Sequence, residues 1–282
     1  MLESTTKWDH AKRRIKPASV VLDLLHSNIT RAGPVRSIMF AGGLFGFSEN
    51  TMRVTLSRLV SRGLLESSKR GYYRLSESTC ALNRFVDAWR LGEERCRSWD
   101  SKQWLICHLD SSLTASTTAN KWQKSLWVLS SHGFQEVRQN FWVRPDNLVL
   151  SREDLGEQLK AMGLDAGAVL LGPCVVGAEM AEKWHLSWNT RDLEQRYLDA
   201  LRQLQQSADK LGSLSQSQAM LESFTLGGEV VNLLAKDPLL PASWLNTRAR
   251  RELWQAMLRY DKQGKAIWAK PQTINEQFKA TG

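Results

Sequence analysis

The sequence predicts an α+β protein built from three successive parts. In residues 18–62, apolar side chains recur at helical spacing in three short stretches, and two strand-like runs follow. Residues 104–176 alternate strand-length apolar runs with helix-length periodic runs, and the periodicity after residue 190 is helical. A chain of 282 residues is long enough for two or three domains, each with its own core.

The positive charge of the chain is concentrated near its start. The net charge is +9, and residues 1–74 hold 13 Lys and Arg against 5 Asp and Glu, so that 13 − 5 gives +8. A localised basic block is typical of a module that binds nucleic acid, although it also occurs as a solvated, solubilising face. Charge alone leaves both interpretations open.

The composition limits the classes of protein to which this chain can belong. The charged fraction of 24% is ordinary for a globular protein. No apolar run approaches the roughly 18 to 20 residues that cross a bilayer, and the polar N-terminus lacks the apolar core of a signal peptide. We therefore expect a cytoplasmic protein with no membrane partner. None of the four cysteines forms a C-x-x-C pair, so neither a zinc cluster nor a disulfide framework is predicted.

Three helices are predicted in the first part. Residues 18–29 and 35–44 carry apolar side chains along one side, and a Gly-Pro pair breaks the chain between them. Ser48 is a good N-cap for the third helix, because its hydroxyl can accept a hydrogen bond from a backbone N–H of the first turn. Gly63 is predicted to end that helix as a C-terminal cap.

The third helix has two different faces. On a helical wheel Met52, Leu56, Leu59 and Val60 share one side and are predicted to face the core. The opposite face and its flanks carry short polar residues, one Val and two Arg: Asn50, Thr51, Arg53, Val54, Ser57, Arg58 and Ser61. A merely solvated helix more often shows Glu, Lys and Gln there. Short polar side chains permit close approach, and Arg and Asn can bond base edges in the major groove of DNA.

A hairpin with a basic tip follows the third helix. A strand begins at Leu64, Lys69-Arg70-Gly71 forms the turn, and residues 72–75 return. Three helices followed by such a hairpin predict a winged helix-turn-helix, whose third helix enters the major groove while the wing contacts phosphate or the minor groove. A winged helix that binds another protein, as an adaptor, is the alternative. The local charge of +8 favours DNA.

The middle part is predicted to alternate strands and helices. Strands are expected at 104–109, within 134–144 and at 168–176, and helices at 117–131 and 155–162. The order β-α-β-β-α-β is typical of a ferredoxin-like fold.

Asp110 is the residue that suggests an alternative interpretation of the chain as an enzyme. It follows the first strand of the middle part, where the small CRISPR spacer-acquisition nucleases, which share this fold, carry an acidic residue. One Asp is a poor site for a hard cation, and Asp154 and Asp165 lie at no suggestive spacing. Cys107 and His108 are adjacent on a strand, point to opposite faces and cannot chelate one ion together. A metal-dependent nuclease is therefore the alternative, while we expect no enzyme, catalytic residue, metal or cofactor, since P-loop, GxSxG and HExxH motifs are missing.

The last part is predicted to be helical, with helices near 192–204, 220–235 and 248–262. Such a helical lobe could dimerise the protein, bind an effector or pack on the middle part. The chain has 12 Trp, most of them in the middle and last parts. An aromatic-lined pocket for an aromatic acid or its thioester would fit this enrichment. The simpler interpretation is that the Trp side chains pack cores and junctions.

Three stretches of the chain resemble the PaaX family of transcriptional repressors. Residues 51–66, TMRVTLSRLVSRGLLE, and the return strand Tyr-Tyr-Arg-Leu at 72–75 resemble its recognition helix and wing. Residues 127–145, WVLSSHGFQEVRQNFWVRP, resemble its middle domain, and residues 237–244, DPLLPASW, resemble its C-terminal signature. The turn at 69–71 departs from the Gly-Arg-Arg-type run that is common in the family.

The resemblance implies a repressor of phenylacetate-type catabolism that an acyl-CoA thioester, such as phenylacetyl-CoA, releases from its operator. The implied domains are a winged helix with a linker helix at 1–100, a ferredoxin-like domain at 101–180 and a helical dimerisation or effector domain at 181–282. Phosphates of CoA need cationic partners, for which the possible residues are Arg138, Arg144, Lys183 and Arg196. Helix-turn-helix repressors usually act as homodimers on pseudo-palindromic duplexes, so we expect a homodimer.

The residues predicted to contact double-stranded DNA come from three segments. They are Asn50, Thr51, Arg53, Ser57 and Arg58 of the third helix, Lys69, Arg70, Tyr72 and Tyr73 of the wing, and Arg13 and Arg14 of a basic N-terminal arm.

Overall fold

The computed structural model describes residues 15–28, 30–99, 102–110 and 119–270. Within these ranges the chain is an α+β protein with helices and two small antiparallel sheets. It divides into two compact units, Met1–Asn83 and Arg84–Gly282. The division into three domains stays a prediction. Every helix in the described ranges falls short of the length or the hydropathy that spanning a membrane requires.

The first unit contains three helices followed by a hairpin. Its elements are α1 (Pro17–Ser27), β1 (Ala32–Pro34), α2 (Val35–Leu44), α3 (Glu49–Ser61), β2 (Leu65–Lys69), β3 (Tyr72–Leu75) and a short 3-10 helix (Glu77–Thr79). The predicted bounds of α2 and β3 are confirmed. Gly63, just beyond α3, has a φ of 67°, in the left-handed region that suits a glycine after a helix end. Ile29, the predicted end of α1, lies outside the described residues.

The three strands of this unit form a sheet in the order β1-β3-β2, with both pairs antiparallel. The strand β1 was not predicted, because Ala-Gly-Pro carries no strand signal of its own. It exists through its pairing with β3, in which Ala32 lies opposite Arg74 and Gly33 opposite Tyr73. A register shift between Ser67 and Lys69 marks a bulge close to the hairpin tip.

The core of the first unit lies between the helices and β2. Its buried members are Val21, Leu25, Ile38, Met52, Leu56, Leu59 and Leu65. The predicted core side of α3 is thus confirmed for three residues and wrong for Val60, which is 37% exposed. Relative to Met52, Leu59 lies about 20° away on the helix and Val60 about 80° away, so Val60 falls at the rim of the apolar stripe.

Helices α2 and α3 approach each other very closely at one point. A Cβ atom on Gly42 would lie 2.5 Å from Cγ and 2.7 Å from Sδ of the fully buried Met52. The helices are joined by the four residues 45–48, in which Gly46 has a φ of 77° and the Phe47 N–H donates to the Gly42 carbonyl at 3.0 Å. The absence of a side chain at residue 42 therefore permits the short connection between the helices.

The second unit combines a four-stranded sheet with a helical bundle. After α4 (Cys80–Asp87), which spans the unit boundary, its elements are a kinked 3-10 segment (Ala88–Arg95), β4 (Trp104–His108), α5 (Ala119–Ser131), β5 (Gln135–Arg138), β6 (Phe141–Pro145), α6 (Arg152–Met162), β7 (Val169–Cys174), α7 (Ala178–His185), α8 (Thr190–Lys210), α9 (Gln216–Ala235) and α10 (Arg248–Ala269). The predicted helices and strands are confirmed with small changes of bounds, while α7 was not predicted. Residues 117 and 118 lie outside the described residues.

The sheet of the second unit has the order β5-β6-β4-β7, and all its pairs are antiparallel. Within β4 the side chain of Cys107 is buried and that of His108 is exposed, which confirms that the two point to opposite faces. The chain reverses between β5 and β6 at Asn140, which has a φ of 63°. The bundle is formed by α8, α9 and α10, and the Tyr260 hydroxyl on α10 lies 2.7 Å from Oγ of Ser207 on α8.

Most of the buried tryptophans pack against one another. The indole of Trp104 in β4 is surrounded by the rings of Trp99, Trp184, Trp188 and Trp244, and the ring centroids in this cluster lie 5.1 to 6.2 Å apart. These distances are typical of aromatic packing. This cluster therefore contributes to the core of the second unit.

A buried polar network fastens the loop between α9 and α10. Three successive carbonyls of the loop accept hydrogen bonds: Pro238 from Arg144 Nη2 at 3.4 Å, Leu239 from Asn147 Nδ2 at 2.6 Å, and Leu240 from Arg250 Nη1 at 3.4 Å. Buried carbonyls need such partners, because no strand or helix pairs them here. We call this arrangement the loop clamp.

Arg144 is the central residue of the loop clamp. It is only 2% exposed, and it also donates to the carbonyls of His132 and Pro145 and to Oδ1 of Asn147. These partners are all neutral, and burial lowers the pKa of Arg144 to about 10. Because its donors are engaged in the interior, Arg144 is unsuitable as one of the four possible phosphate-binding residues that the sequence offered.

We predict that Gly42→Ala destabilises the first unit, although alanine is the better helix former by about 1 kcal/mol. The new methyl group overlaps Met52, and overpacking of a dense core costs about 1 to 3 kcal/mol. Hydrogen exchange of the α1–α3 amides measures the change. Gly228→Ala on α9, where a Cβ meets nothing within 4 Å, is the matched control and should be neutral or stabilising. Equal behaviour of the two variants would contradict the close approach.

We predict that Asn147→Ala lowers the stability of the second unit by about 1 to 3 kcal/mol, because the buried Leu239 carbonyl loses its donor. Denaturation followed by tryptophan fluorescence reports this unit, since 11 of the 12 tryptophans follow residue 83. Asn232→Ala, at an exposed position of α9, is the control and should stay within about 0.5 kcal/mol. A neutral Asn147→Ala would show that the clamp does not need this bond.

Candidate nucleic-acid interface

The N-terminus of α3 is fixed by the predicted cap. Oγ of Ser48 accepts a hydrogen bond from the Thr51 N–H at 3.2 Å and lies 2.9 Å from the Thr51 hydroxyl. Glu49 occupies the first turn, where the helix dipole favours a negative charge. The start of the helix is therefore set by its own sequence, and its two faces follow from that start.

The outer face of α3 is continuous and solvent-exposed. Three residues, Met52, Leu56 and Leu59, hold the helix on the core. The exposed residues of α3 are Glu49, Asn50, Thr51, Arg53, Val54, Ser57, Arg58, Val60 and Ser61, so this surface carries one carboxylate beside its two arginines. All five residues of α3 that were predicted to contact DNA are on this face. The face combines short and long hydrogen-bonding side chains with an apolar residue, Val54, that is 40% exposed.

The two arginines of this face differ in their partners. Arg53 donates through Nε to Oε1 of Glu49 at 2.9 Å, and the two side chains are 64% and 62% exposed. Such a surface ion pair contributes about 0 to 1 kcal/mol, so it can open at little cost. Among the described residues, Arg58 has no ion pair. Its guanidinium is therefore available to an external acceptor without the loss of an internal one.

The hairpin tip presents two cations. Lys69 and Arg70 are exposed, and Nζ of Lys69 lies 4.6 Å from the centroid of the Tyr72 ring. The tip turns at Gly71, with a φ of 74°, and the carbonyl of Gly71 accepts a hydrogen bond from the Val35 N–H at 2.8 Å. That bond fastens the tip to the start of α2.

The two predicted tyrosines of the wing have different surroundings. Tyr72 and Tyr73 are both half-buried, but Tyr73 packs against the hydrophobic core of the first unit. Tyr73 therefore stabilises the first unit in addition to any contribution that it makes to binding. Arg74, its neighbour in β3, forms a surface ion pair with Glu66 of β2.

Two exposed arginines were missed by the sequence prediction. Arg36 lies in the first turn of α2, and Arg62 directly follows α3. Neither forms an ion pair within the described part of the chain. Both contribute to the local positive charge, which was the signal available in the sequence. No periodicity distinguished them from the other cations of this segment. Arg13 and Arg14 of the predicted arm lie outside the described residues.

Two of the acidic residues considered for a metal site, Asp154 and Asp165, take part in local turns instead. Asp154 accepts from the Ser151 hydroxyl at the start of α6, and Asp165 accepts from the Gly167 N–H in a turn. Within the described ranges, no group of three or more His, Cys, Asp or Glu is arranged to hold an ion.

Comparison with known proteins supports the resemblance for the first unit. Residues 16–79 match the family model described as PaaX-like protein, a family of transcriptional regulators. The match covers 64 of 282 residues and runs from α1 to the 3-10 helix after β3. A solved structure, the uncharacterized protein Rv0674 from Mycobacterium tuberculosis, is similar with a TM-score of 0.50 and 24% identity, over 89% of this chain and 99% of that one. At this identity the likeness concerns the fold alone. A search of curated proteins gives no match.

We predict that Arg58→Ala weakens binding to duplex DNA by about 1 to 3 kcal/mol. The affinity is measured by fluorescence anisotropy at several salt concentrations, since a lost phosphate contact also lowers the salt slope by about one. Arg259→Ala, which removes the same charge from an exposed position of α10, is the control and should change the affinity little. Equal losses in the two variants would show that total charge, and not the α3 face, governs binding.

Proposed function

We propose that this protein is a DNA-binding transcriptional repressor of a catabolic operon for aromatic acids of the phenylacetate type. The observation that carries the proposal is the exposed face of α3, with its short polar side chains and Arg58, within the segment that matches the PaaX-like family. In this proposal α3 is the recognition helix, and Asn50, Ser57 and Arg58 read or position the major groove.

The arrangement of the first unit supports a winged helix-turn-helix. Helices α2 and α3 are joined by a four-residue turn containing a left-handed Gly46, as such motifs often are. The β2–β3 hairpin with Lys69 and Arg70 at its tip is then the wing, and it contacts phosphate or the minor groove. Arg36 and Arg62 add phosphate contacts, which position the protein without reading sequence.

The second unit supports the remaining part of the proposal. The antiparallel order β5-β6-β4-β7, with a helix after its first and third strands, is the pattern of a ferredoxin-like domain. The bundle of α8, α9 and α10 is the helical domain that follows it. A homodimer places two recognition helices on a pseudo-palindromic operator, about one helical turn of DNA apart.

Release from the operator is assigned to an aromatic acyl-CoA thioester. The ligand binds the part of the chain beyond the winged helix and favours a dimer geometry whose half-site spacing no longer fits. Such a ligand releases DNA only if it binds the DNA-free form more tightly than the DNA-bound form, by thermodynamic linkage.

The decisive experiment measures binding of the full chain to DNA upstream of its own and neighbouring genes, with and without phenylacetyl-CoA, at two salt concentrations. We expect tight binding to a limited site that the thioester weakens. Free CoA is the control for the nucleotide part of the ligand. Site-limited binding that ignores the thioester would contradict the effector while leaving the repressor intact. Duplex binding without sequence preference or a steep salt slope would overturn the repressor and favour the adaptor.

A further inference from the structure

The side of α3 that points away from the core is formed by uncharged residues. A helix turns by about 100° per residue, which places four exposed side chains within about 50° of the direction opposite Met52, Leu56 and Leu59. They are Asn50, Val54, Ser57 and Ser61. We call these four residues the α3 ridge. Val54 lies near the middle of the ridge, about 15° from the outward direction.

Arginines lie on the two flanks of the α3 ridge. Arg58 is about 50° from the outward direction on one side, and Arg53 is about 90° from it on the other. A helix in the major groove has base edges in front of it and a phosphate strand on each side. The flanks therefore suit the phosphates, although Arg53 must first leave its exposed ion pair with Glu49. The uncharged ridge would then face the bases.

Val54 is the apolar member of the α3 ridge. It is 40% exposed, whereas Val60, the other exposed valine of α3, lies at the rim of the core stripe. Valine forms helices less readily than alanine, and Val54 lies outside the core whose packing could offset this. Its branched side chain has one strongly preferred χ1 rotamer in a helix. The two methyl groups are thus held in place before binding, so that a contact costs little conformational entropy.

We infer that Val54 is a specificity-determining residue, whose methyl groups contact the 5-methyl group of one thymine in each operator half-site. The inference rests on the proposed function and deepens it, since it names a base that the operator must contain. In the major groove every base pair offers hydrogen-bonding groups, but only A·T and T·A pairs offer a methyl group. A ridge of short polar side chains with one valine among them matches that pattern.

A protein partner would fit this surface less well than a duplex. The centres of protein interfaces are enriched in aromatic residues and Met, whereas the neighbours of Val54 on the ridge are Asn50, Ser57 and Ser61. The exposed Arg58 and Arg62 add a positive field that attracts a polyanion. A DNA duplex supplies both the negative charge and the isolated methyl group.

The test begins by selecting duplexes that the full chain binds from a pool with a randomised core, long enough for two half-sites one helical turn apart. Each thymine of the selected site is then replaced singly by deoxyuridine, which lacks only the 5-methyl group and keeps the base pairing. Fluorescence anisotropy gives the affinity of each duplex. Burial of one methyl group corresponds to roughly a fourfold change in affinity, so we expect one position per half-site at which the wild-type chain loses about three- to fivefold.

The variant Val54→Ala identifies the residue responsible. It should bind the unmodified site about three- to fivefold more weakly and should be indifferent to deoxyuridine at that same position. Its salt slope should equal that of the wild-type chain, because no charge is lost. Val60→Ala, the same substitution at an exposed rim position of the same helix, is the matched control and should keep the wild-type sensitivity at every thymine. A methyl effect that arises from DNA shape would persist in Val54→Ala.

The outcomes separate the inference from the proposed function. Sensitivity to one thymine methyl that is lost in Val54→Ala and kept in Val60→Ala supports the inference. Equal sensitivity in the wild-type chain and Val54→Ala, equal loss in Val60→Ala, or a selected site at which no thymine methyl matters overturns it and leaves the repressor intact. If the selection enriches no sequence, the proposed function fails and the inference fails with it. Alanine is the better helix former, so Val54→Ala is expected to fold, which circular dichroism checks.

Discussion

A single buried guanidinium, that of Arg144, is the constraint on which the second unit depends. It donates to the carbonyl of His132 after α5, to that of Pro145 at the end of β6 and to that of Pro238 in the loop after α9. Buried carbonyls must find donors, and arginine alone offers five N–H groups in a fixed plane. The sheet and the bundle are thereby held together by polar bonds as well as by the tryptophan cluster. Replacement by an apolar residue would leave several acceptors unpaired at once.

In the first unit a small core allows one helix to serve two purposes. Three side chains of α3 are enough to hold it, because Gly42 lets Met52 reach deep between the helices. The other side chains of the helix lie outside this core. Under the proposed function these residues would be selected for contacts with DNA, which would account for the short polar side chains opposite the core. The residues that hold α3 on the core and the residues proposed to contact DNA are then different members of the same thirteen-residue element.

Local signals in the sequence predict most of the fold. Periodicity locates α2 and the strands, and the caps Ser48 and Gly63 act as expected, because such features depend on neighbouring residues only. The features that were missed depend on distant partners. The strand β1 exists only through pairing with β3, about 40 residues away. Likewise Arg144 looks like any cation at the end of a strand, and its burial depends on loops near residues 132 and 238. The outer face of α3 was predictable because a helix fixes its own faces.

The arginines of this chain include an exposed set, with Arg58 and Arg62, and a buried set, with Arg144 and Arg250. Arg58 and Arg62 stay hydrated, so they attract a polyanion at long range and lose that attraction as salt rises. Arg250 has already lost most of its water, and its charge is offset by the carboxylates of Glu93 and Asp237 in the interior of the second unit. Arg144 is likewise buried and donates to carbonyls of the interior. The buried arginines therefore serve the packing of the second unit, because their donors are already used inside it. The exposed arginines keep their donors for an external polyanion.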